Sequence, residues 1–152
     1  MPTWNRIVCA VDFSESSRLA METAADLARR YGSQLTLVHV HEASATARPE
    51  VVLAPPELFE TWAREEGQKL EQWRAEAQHL AARPVNTLLL NGPAALEIVR
   101  AAQDDRSDLV VTATHGRTGL KRVVLGSVAE RVVRMAPCPV LVVRSARELE
   151  SK

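Results

Sequence analysis

The chain has 152 residues, of which 46% are hydrophobic and 25% are charged, a composition typical of one globular domain over residues 1–152 and unlike that of a disordered chain. Nineteen basic and nineteen acidic residues cancel to a formal net charge of zero, which gives no overall attraction to nucleic acid or anionic lipid. No apolar run approaches the roughly 18 residues of a membrane span, and residues 1–6 lack a signal-peptide apolar region, so we expect a cytoplasmic protein without membrane or nucleic-acid partners.

The first third of the chain predicts a strand, a helix and a second strand. The apolar run at residues 6–11 predicts the first strand, and Ser14 can cap the following helix through its hydroxyl. Apolar positions then recur every three or four residues up to Tyr31, and Gly32 supplies a left-handed helix end. The branched residues of 34–40 predict the second strand.

The middle of the chain predicts a loop and a long helical region. Three prolines in residues 41–56 indicate a surface loop. Helix formers fill residues 57–83, and Gly67 leaves open either one long helix with a weak point or two shorter helices. Trp62 and Trp73 lie eleven residues apart, or three helical turns, so we expect both on a buried stripe against the sheet.

The remaining residues continue the alternation. Strands are predicted at residues 85–90, 108–113 and 139–144, with helices from Pro93 to about Gln103 and over 127–135. Alternating strands and helices predict an α/β fold, an open five-stranded parallel sheet with helices on both faces. In such sheets ligands bind beyond the carboxyl ends of the strands, where the strand order reverses.

The most informative segment is the glycine-rich stretch at residues 112–130, between a strand and a helix. Gly126 and Ser127 would bring backbone N–H groups to a helix N-terminus, which favours anions, and five basic residues stand against one acid from His115 to Arg134. A capping box formed by Ser127 and Glu130 explains the same residues without a ligand. The absence of G-x-x-x-x-G-K-[ST] and G-x-G-x-x-G disfavours a P-loop NTPase and a dinucleotide dehydrogenase.

Five motifs together resemble the universal stress protein family across the whole chain: V-D-F-S-E at residues 11–15, L-V-H-V at 37–40, G-P-A-x-x-x-I-V at 92–99, T-H-G-R-T-G-L-K-R-V-V-L-G-S-V-A-E at 114–130 and C-P-V-L-V-V-R at 138–144. The resemblance implies a Rossmann-like fold of the adenine nucleotide alpha hydrolase type. The family's ATP loop is G-x-x-G, nine residues, then G-[ST], and Gly116, Gly126 and Ser127 match it. Ala113 replaces the first glycine, and its position at a strand end predicts a mild effect on ATP binding.

The resemblance also implies a role for each site residue. Asp12 would reach the ribose or a phosphate-bound Mg²⁺, Val40 would offer its backbone to adenine, and His115 could donate to a phosphate or brace the loop. The phosphates would be held by Gly116, Gly126, Ser127 and Val128, above a floor of Thr112 and Ala113. Without the resemblance, Asp12 is as well explained as a cap at the start of the first helix.

The sequence leaves three functions open. The first is a stress-response protein that binds ATP as a regulatory or structural ligand and acts as a homodimer, since the apolar strand from Pro139 to Arg144 would otherwise be an uncovered edge. The others are an interaction-only protein with an empty loop and a slow ATP-hydrolysing enzyme. No catalytic residue is predicted, because Ser127 lacks the G-x-S-x-G elbow and no base is evident.

The histidines and cysteines complete the candidates. His39 and His41 lie two residues apart on one side of a strand, with no third metal ligand evident, and we expect His39 to be a hydrogen-bonded sheet residue. Cys9 and Cys138 fit buried strand positions, although a reactive thiol at Cys138 stays open.

Overall fold

The computed structural model describes residues 3–42, 56–115 and 125–145. The predicted loop at residues 43–55 and most of the glycine-rich stretch, including Gly116, lie outside them. The described elements, in chain order, are β1 (Arg6–Ala10), α1 (Glu15–Tyr31), β2 (Gln34–His41), α2 (Pro56–Ala81), β3 (Val85–Asn91), α3 (Ala94–Asp104), β4 (Leu109–Ala113), α4 (Ser127–Met135) and β5 (Val140–Val143).

The sheet confirms the predicted architecture. Its five strands are all parallel and lie in the order β3-β2-β1-β4-β5. Residues of α1 and α2 share one apolar core with one face of the sheet, and residues of α3 and α4 share a second core with the other face. The strand order reverses between β1 and β4, because the chain leaves β1 toward β3 and then returns to begin β4 on the other side. The carboxyl ends of β1 and β4 therefore flank the position where such sheets bind ligands.

Helix α1 begins and ends where the sequence predicts. The Ser14 hydroxyl accepts a hydrogen bond from the Ser17 N–H, and this bond satisfies one of the free N–H groups of the first turn. Gly32 ends the helix at φ 70°, in the left-handed region where a side chain would be strained. The Ser14 cap lies where α1 leaves the end of β1, and Gly32 lies where the chain turns from α1 into β2.

Helix α2 is one helix of 26 residues that continues through Gly67, which confirms the first of the two alternatives. It ends at Ala81 rather than near residue 83, because Ala82 adopts φ 53° and cannot continue a right-handed helix. Among the described residues, no helix combines the length and the low charge that crossing a lipid bilayer would require.

The expectation for the two tryptophans is half right. Trp73 is buried in the core below α1 and α2, where its ring contacts Phe13. Trp62 is only partly buried, and its ring lies 3.9 Å from the His41 ring at the end of β2. Both indoles lie on the face of α2 that covers the sheet, but only Trp73 is buried in the core, and Trp62 packs on His41, which lines the site described next.

Candidate functional site

A cavity of about 460 Å³ lies at the carboxyl ends of β1, β2 and β4 and the N-terminal ends of α3 and α4. Its volume is in the range of small-molecule sites. The predicted site residues that line it are Asp12, Val40, Thr112, Ala113, His115, Gly126, Ser127 and Val128. Gly116 is the remaining predicted residue and lies outside the described ranges. The fold thus brings together residues from three separate segments of the chain.

The backbone N–H and carbonyl of Val40 face the cavity because of the register between β1 and β2. The β1–β2 pairing runs to Ala10 opposite Val38, and the Val11 N–H then donates to the Val38 carbonyl. In a parallel ladder every second residue bonds to the same neighbour, so the Val40 N–H and carbonyl also face the β1 side. Because β1 has ended by then, both groups point into the cavity.

Asp12 begins the turn from β1 into α1. Its Oδ1 accepts a hydrogen bond from the Ser14 N–H, and its own N–H donates to the Ser17 hydroxyl. Phe13, the next residue, adopts φ 65°, a strained backbone for an aromatic residue. Asp12 therefore shapes the start of α1, as the alternative without a ligand requires, and also lines the cavity.

Glycine is needed at position 126 because the backbone there lies close to the Thr114 carbonyl, and not because its φ is unusual. Its N–H donates to the Thr114 carbonyl at 2.8 Å, and its φ is −58°. A Cβ placed on Gly126 would lie 3.0 Å from that carbonyl oxygen and 3.6 Å from the Cα of His115. Since the nearest atoms belong to the backbone, any side chain here would push α4 away from the end of β4.

The capping box that Ser127 and Glu130 offered as the explanation without a ligand is not formed. The N-cap of α4 is Gly126, and the structure gives this helix end no side-chain hydrogen bond. Glu130 instead reaches along the helix to Arg134, with 2.7 Å between Oε1 and Nη2. Ser127 is the first residue of the helix rather than its cap, so the first-turn N–H groups of α4 face the cavity without a side-chain partner among the described residues.

Ala113 lies within β4, opposite Val143 of β5, and its backbone is extended. Its side chain contributes to the core on the α1 side of the sheet. The predicted strand-end position of Ala113 is confirmed, and this backbone requires no left-handed conformation.

His39 is the hydrogen-bonded sheet residue that we expected, and its partners define a polar cluster. Its Nδ1 lies 2.8 Å from the Val11 carbonyl oxygen, and its Nε2 lies 2.5 Å from Oε2 of Glu66 on α2. The other Glu66 oxygen lies 3.4 Å from Nδ1 of His41. Burial raises the pKa of Glu66, but the Trp62 indole and the two imidazoles outweigh burial, and the net pKa is lowered. Glu66 is therefore ionised at neutral pH.

Sequence reasoning missed Glu66, although the sequence carries a signal for it. The buried residues of α2 include Leu70, Trp73 and Ala77, and Glu66 precedes Leu70 by four residues. Its carboxylate is thus on the helix face that covers the sheet, with a side chain only 13% exposed. An acid on an apolar stripe requires a polar partner, and His39 supplies one.

Metal and thiol chemistry find little support in the described parts of the chain. They contain no group of three or more His, Cys, Asp and Glu side chains that could hold a metal ion. Burial and the nearby Asp108 carboxylate raise the pKa of the half-buried Cys138 thiol, against a smaller lowering by the Val110 backbone. Cys138 is therefore a protonated and weakly nucleophilic thiol at neutral pH.

Comparison with known proteins agrees with the fold and the motifs. The universal stress protein family matches residues 3–144. Universal stress protein MJ0531 of Methanocaldococcus jannaschii is 36% identical over 149 residues, which cover 95% of this chain and 85% of that protein. The solved structure of universal stress protein UspA from Lactobacillus plantarum is 28% identical, with a TM-score of 0.81 over 93% of this chain and 98% of that chain.

Two more distant structures share the fold and contain nucleotides. One is a universal stress protein in complex with cAMP, 22% identical, with a TM-score of 0.68 over 95% of this chain and 99% of that chain. The other is the universal stress protein from Archaeoglobus fulgidus in complex with dAMP, 21% identical, with a TM-score of 0.65 over 92% and 98%. With the family matched over almost the whole chain, this protein belongs to the universal stress protein family.

Proposed function

We propose that this chain is a cytoplasmic stress-response protein, one domain in extent, that binds ATP as a regulatory or structural ligand and acts as a homodimer. The main observation in favour of an ATP site is the cavity. It has a backbone donor and acceptor at one end, on Val40, and an uncapped helix N-terminus at the other, on α4. These two features suit the base and the phosphates of one nucleotide.

The adenine end rests on Val40. Adenine carries an amino donor beside a ring-nitrogen acceptor, and the carbonyl and N–H of one extended residue can pair with both. Val38 and Ile98 supply apolar walls around that position. A nucleobase would thus find hydrogen bonds at its edge and apolar contacts on its faces, as small-molecule sites generally provide.

The phosphate end rests on the N-terminus of α4. The N–H groups of its first turn and the positive end of the helix dipole both favour an anion. Gly126, Ser127 and Val128 line the cavity at this helix end, and the close packing of Gly126 on Thr114 brings the backbone there without a side chain between them. The residues present therefore fit a phosphate chain.

Asp12 is placed to serve the sugar or a cation. Its carboxylate lines the same cavity and would repel phosphate oxygens unless a cation lay between them. Mg²⁺ binds proteins through one or two carboxylates together with phosphate oxygens, which suits a metal carried in by the nucleotide. We therefore propose Mg-ATP with Asp12 as a ligand to the metal or as an acceptor from the ribose.

Two observations favour a bound ligand over turnover or an empty loop. Two fold relatives contain the adenine nucleotides cAMP and dAMP in their solved structures. The imidazole nearest to an acid, His39, is held by Glu66 and Val11 and not by a nucleophile. Such an imidazole is not poised to activate water, so ATP serves here as a ligand that reports or stabilises a state.

Mass spectrometry of the freshly purified protein, followed by calorimetric titration of ATP with and without Mg²⁺, tests the proposal. We expect either co-purified adenine nucleotide or saturable binding of added ATP. Inorganic tripolyphosphate and adenosine should each bind more weakly than ATP, because each fills only one end of the cavity. Absence of bound nucleotide together with no heat of ATP binding would overturn the ATP proposal and favour an interaction-only protein. Release of phosphate at a steady rate would favour the hydrolysing enzyme.

The dimer proposal rests on the β5 edge of the sheet. All four residues of β5 (Val140–Val143) are apolar and only partly buried, and among the described residues β5 pairs with β4 alone, at the edge of the sheet. Val133 and Met135 of the flanking helix α4 are 47% and 39% exposed. A second copy of this chain would cover the edge and these side chains.

Sedimentation velocity tests the dimer. The wild-type chain should sediment as a dimer at micromolar concentration, and Val142→Lys should shift it toward a monomer because a charge would enter an apolar contact. A lysine at exposed Gln72 on α2, far along the chain from β5, is the control and should leave the dimer intact. A monomeric wild type would refute the proposal.

A further inference from the structure

The β1–β2 ladder ends at a backbone carbonyl that is hydrogen-bonded to a side chain. This carbonyl belongs to Val11, and the side chain is that of His39. Continued pairing would join the Val40 N–H to the Val11 carbonyl, two residues beyond the bond from Val38. The Val11 carbonyl instead accepts from Nδ1 of His39 at 2.8 Å. No hydrogen bond between Val40 and Val11 exists among the described residues.

The His39 ring is fixed in this role from both sides. Its Nδ1 must carry a proton, because a carbonyl oxygen can only accept. Its Nε2 lies 2.5 Å from Oε2 of Glu66, which holds the ring from the other side. The ring is 3% exposed and packs against Phe13, with 4.4 Å between the ring centroids. The His39 ring is therefore held at both nitrogens and has little freedom to rotate away.

We propose that His39 is a positioning residue for the nucleotide: by donating to the Val11 carbonyl it ends the β1–β2 ladder and keeps the Val40 N–H available to the adenine base. This inference rests on the proposed function. It adds that the Val40 backbone is kept available by a chain of contacts that starts on α2: Glu66 contacts His39, and His39 donates to the Val11 carbonyl. No atom of His39 needs to touch the base for this effect.

Amide hydrogen exchange of the nucleotide-free protein tests the positioning without any ligand. In the wild type the Val40 amide should exchange on the order of 100-fold faster than the Val38 amide, which lies within the ladder. His39→Phe removes the Nδ1 donor and keeps a ring in place, so the Val11 carbonyl is left to accept from the Val40 N–H, and the Val40 amide should exchange more slowly. A Val40 amide already as protected as Val38 in the wild type would overturn the inference whether or not the variant folds.

Binding measurements then separate the base from the phosphates. In His39→Phe the dissociation constant of ATP should rise about tenfold, the size expected for one lost hydrogen bond. The dissociation constant of inorganic tripolyphosphate should stay unchanged. An equal loss for ATP and tripolyphosphate would show general damage to the cavity and contradict a role confined to the base.

Two further variants provide matched controls. His39→Gln keeps one amide donor that can reach the Val11 carbonyl, and it should recover part of the ATP affinity and of the Val40 exchange rate. Gln72→Lys changes an exposed residue of α2 outside the cavity and should leave Val40 exchange at the wild-type rate. A wild type that binds no ATP yet shows the rapid Val40 exchange would reject the proposed function alone, so the two failures are distinguishable.

Discussion

Helices α1, α3 and α4 begin at the carboxyl edge of the sheet beside the cavity, and they differ in what satisfies the free N–H groups of their first turns. At α1 the Ser14 hydroxyl accepts from the Ser17 N–H. At α3 the Glu42 carboxylate accepts from the Ala94 N–H at 2.7 Å, although the N-cap itself is a proline. At α4 the N-cap is Gly126, and no side chain caps the helix in the described structure.

The difference identifies the helix end that is suited to an external anion. All three helix ends contribute residues to the same cavity, so position alone does not distinguish them. Helices α1 and α3 have internal partners for a first-turn N–H group, and Glu42 also places a negative charge against the dipole of α3. Only at α4, among these three, would a phosphate gain hydrogen bonds without displacing a side chain.

The largest effect should come from Gly126→Val. Its side chain would meet the Thr114 carbonyl oxygen, where even a Cβ lies at 3.0 Å, so α4 must shift away from β4. We expect a free energy of unfolding lower by about 1–3 kcal/mol and ATP binding weaker by roughly 100-fold. Urea unfolding and calorimetry measure the two effects on one preparation.

Gly67→Ala is the matched control, because this glycine lies within α2 and its nearest neighbour to an added Cβ is Leu89 at 3.9 Å. Alanine should raise the free energy of unfolding by about 0.5–1 kcal/mol through helix propensity and leave ATP binding unchanged. A folded Gly126→Val protein with wild-type ATP affinity would contradict the assignment of α4 to the phosphates.

The second comparison removes one serine at a capped helix end and one at the uncapped end. Ser14→Ala deletes a cap hydrogen bond and should lower the free energy of unfolding by about 1 kcal/mol. Ser127→Ala deletes no cap and should change stability by less than about 0.5 kcal/mol, while weakening ATP binding if its hydroxyl contacts a phosphate. Equal losses of stability in the two variants would show that α4 is capped by Ser127 after all.

The fold was predictable from local patterns, whereas the site was predictable only in part. Strand and helix positions follow from runs and periods of apolar residues, and Ser14 and Gly32 mark the two ends of α1 in the sequence. The capping-box alternative fits the spacing of Ser127 and Glu130, but the N-cap is Gly126, whose N–H donates to the Thr114 carbonyl. That contact joins segments that no local pattern relates.

The His39 cluster shows the same limit in another way. The sequence shows two histidines on one strand face, but their partner Glu66 lies on α2, 27 residues after His39 in the chain. The contact between them exists only once α2 packs on β2. The register that exposes the Val40 backbone likewise depends on where β1 stops. Both features are properties of the assembled sheet edge, so they required the three-dimensional structure.

Among the changes to the site, the smallest effect on ATP affinity is expected from Ala113→Gly, which restores the family's first loop glycine on the cavity floor beside the N-terminus of α4. Ala113 belongs to β4 and its methyl lies in the α1-side core, so glycine should lower the free energy of unfolding by about 1 kcal/mol through lost packing and greater freedom of the unfolded chain. Because the backbone is already extended, relief of a methyl contact near the phosphates should tighten ATP binding only several-fold, which corresponds to about 1 kcal/mol or less. Thermal unfolding without ligand and ATP titration of both proteins separate the two effects. Tighter binding by a less stable protein supports a working site that tolerates alanine, whereas a gain far above tenfold would mean that the methyl holds the phosphates away from α4.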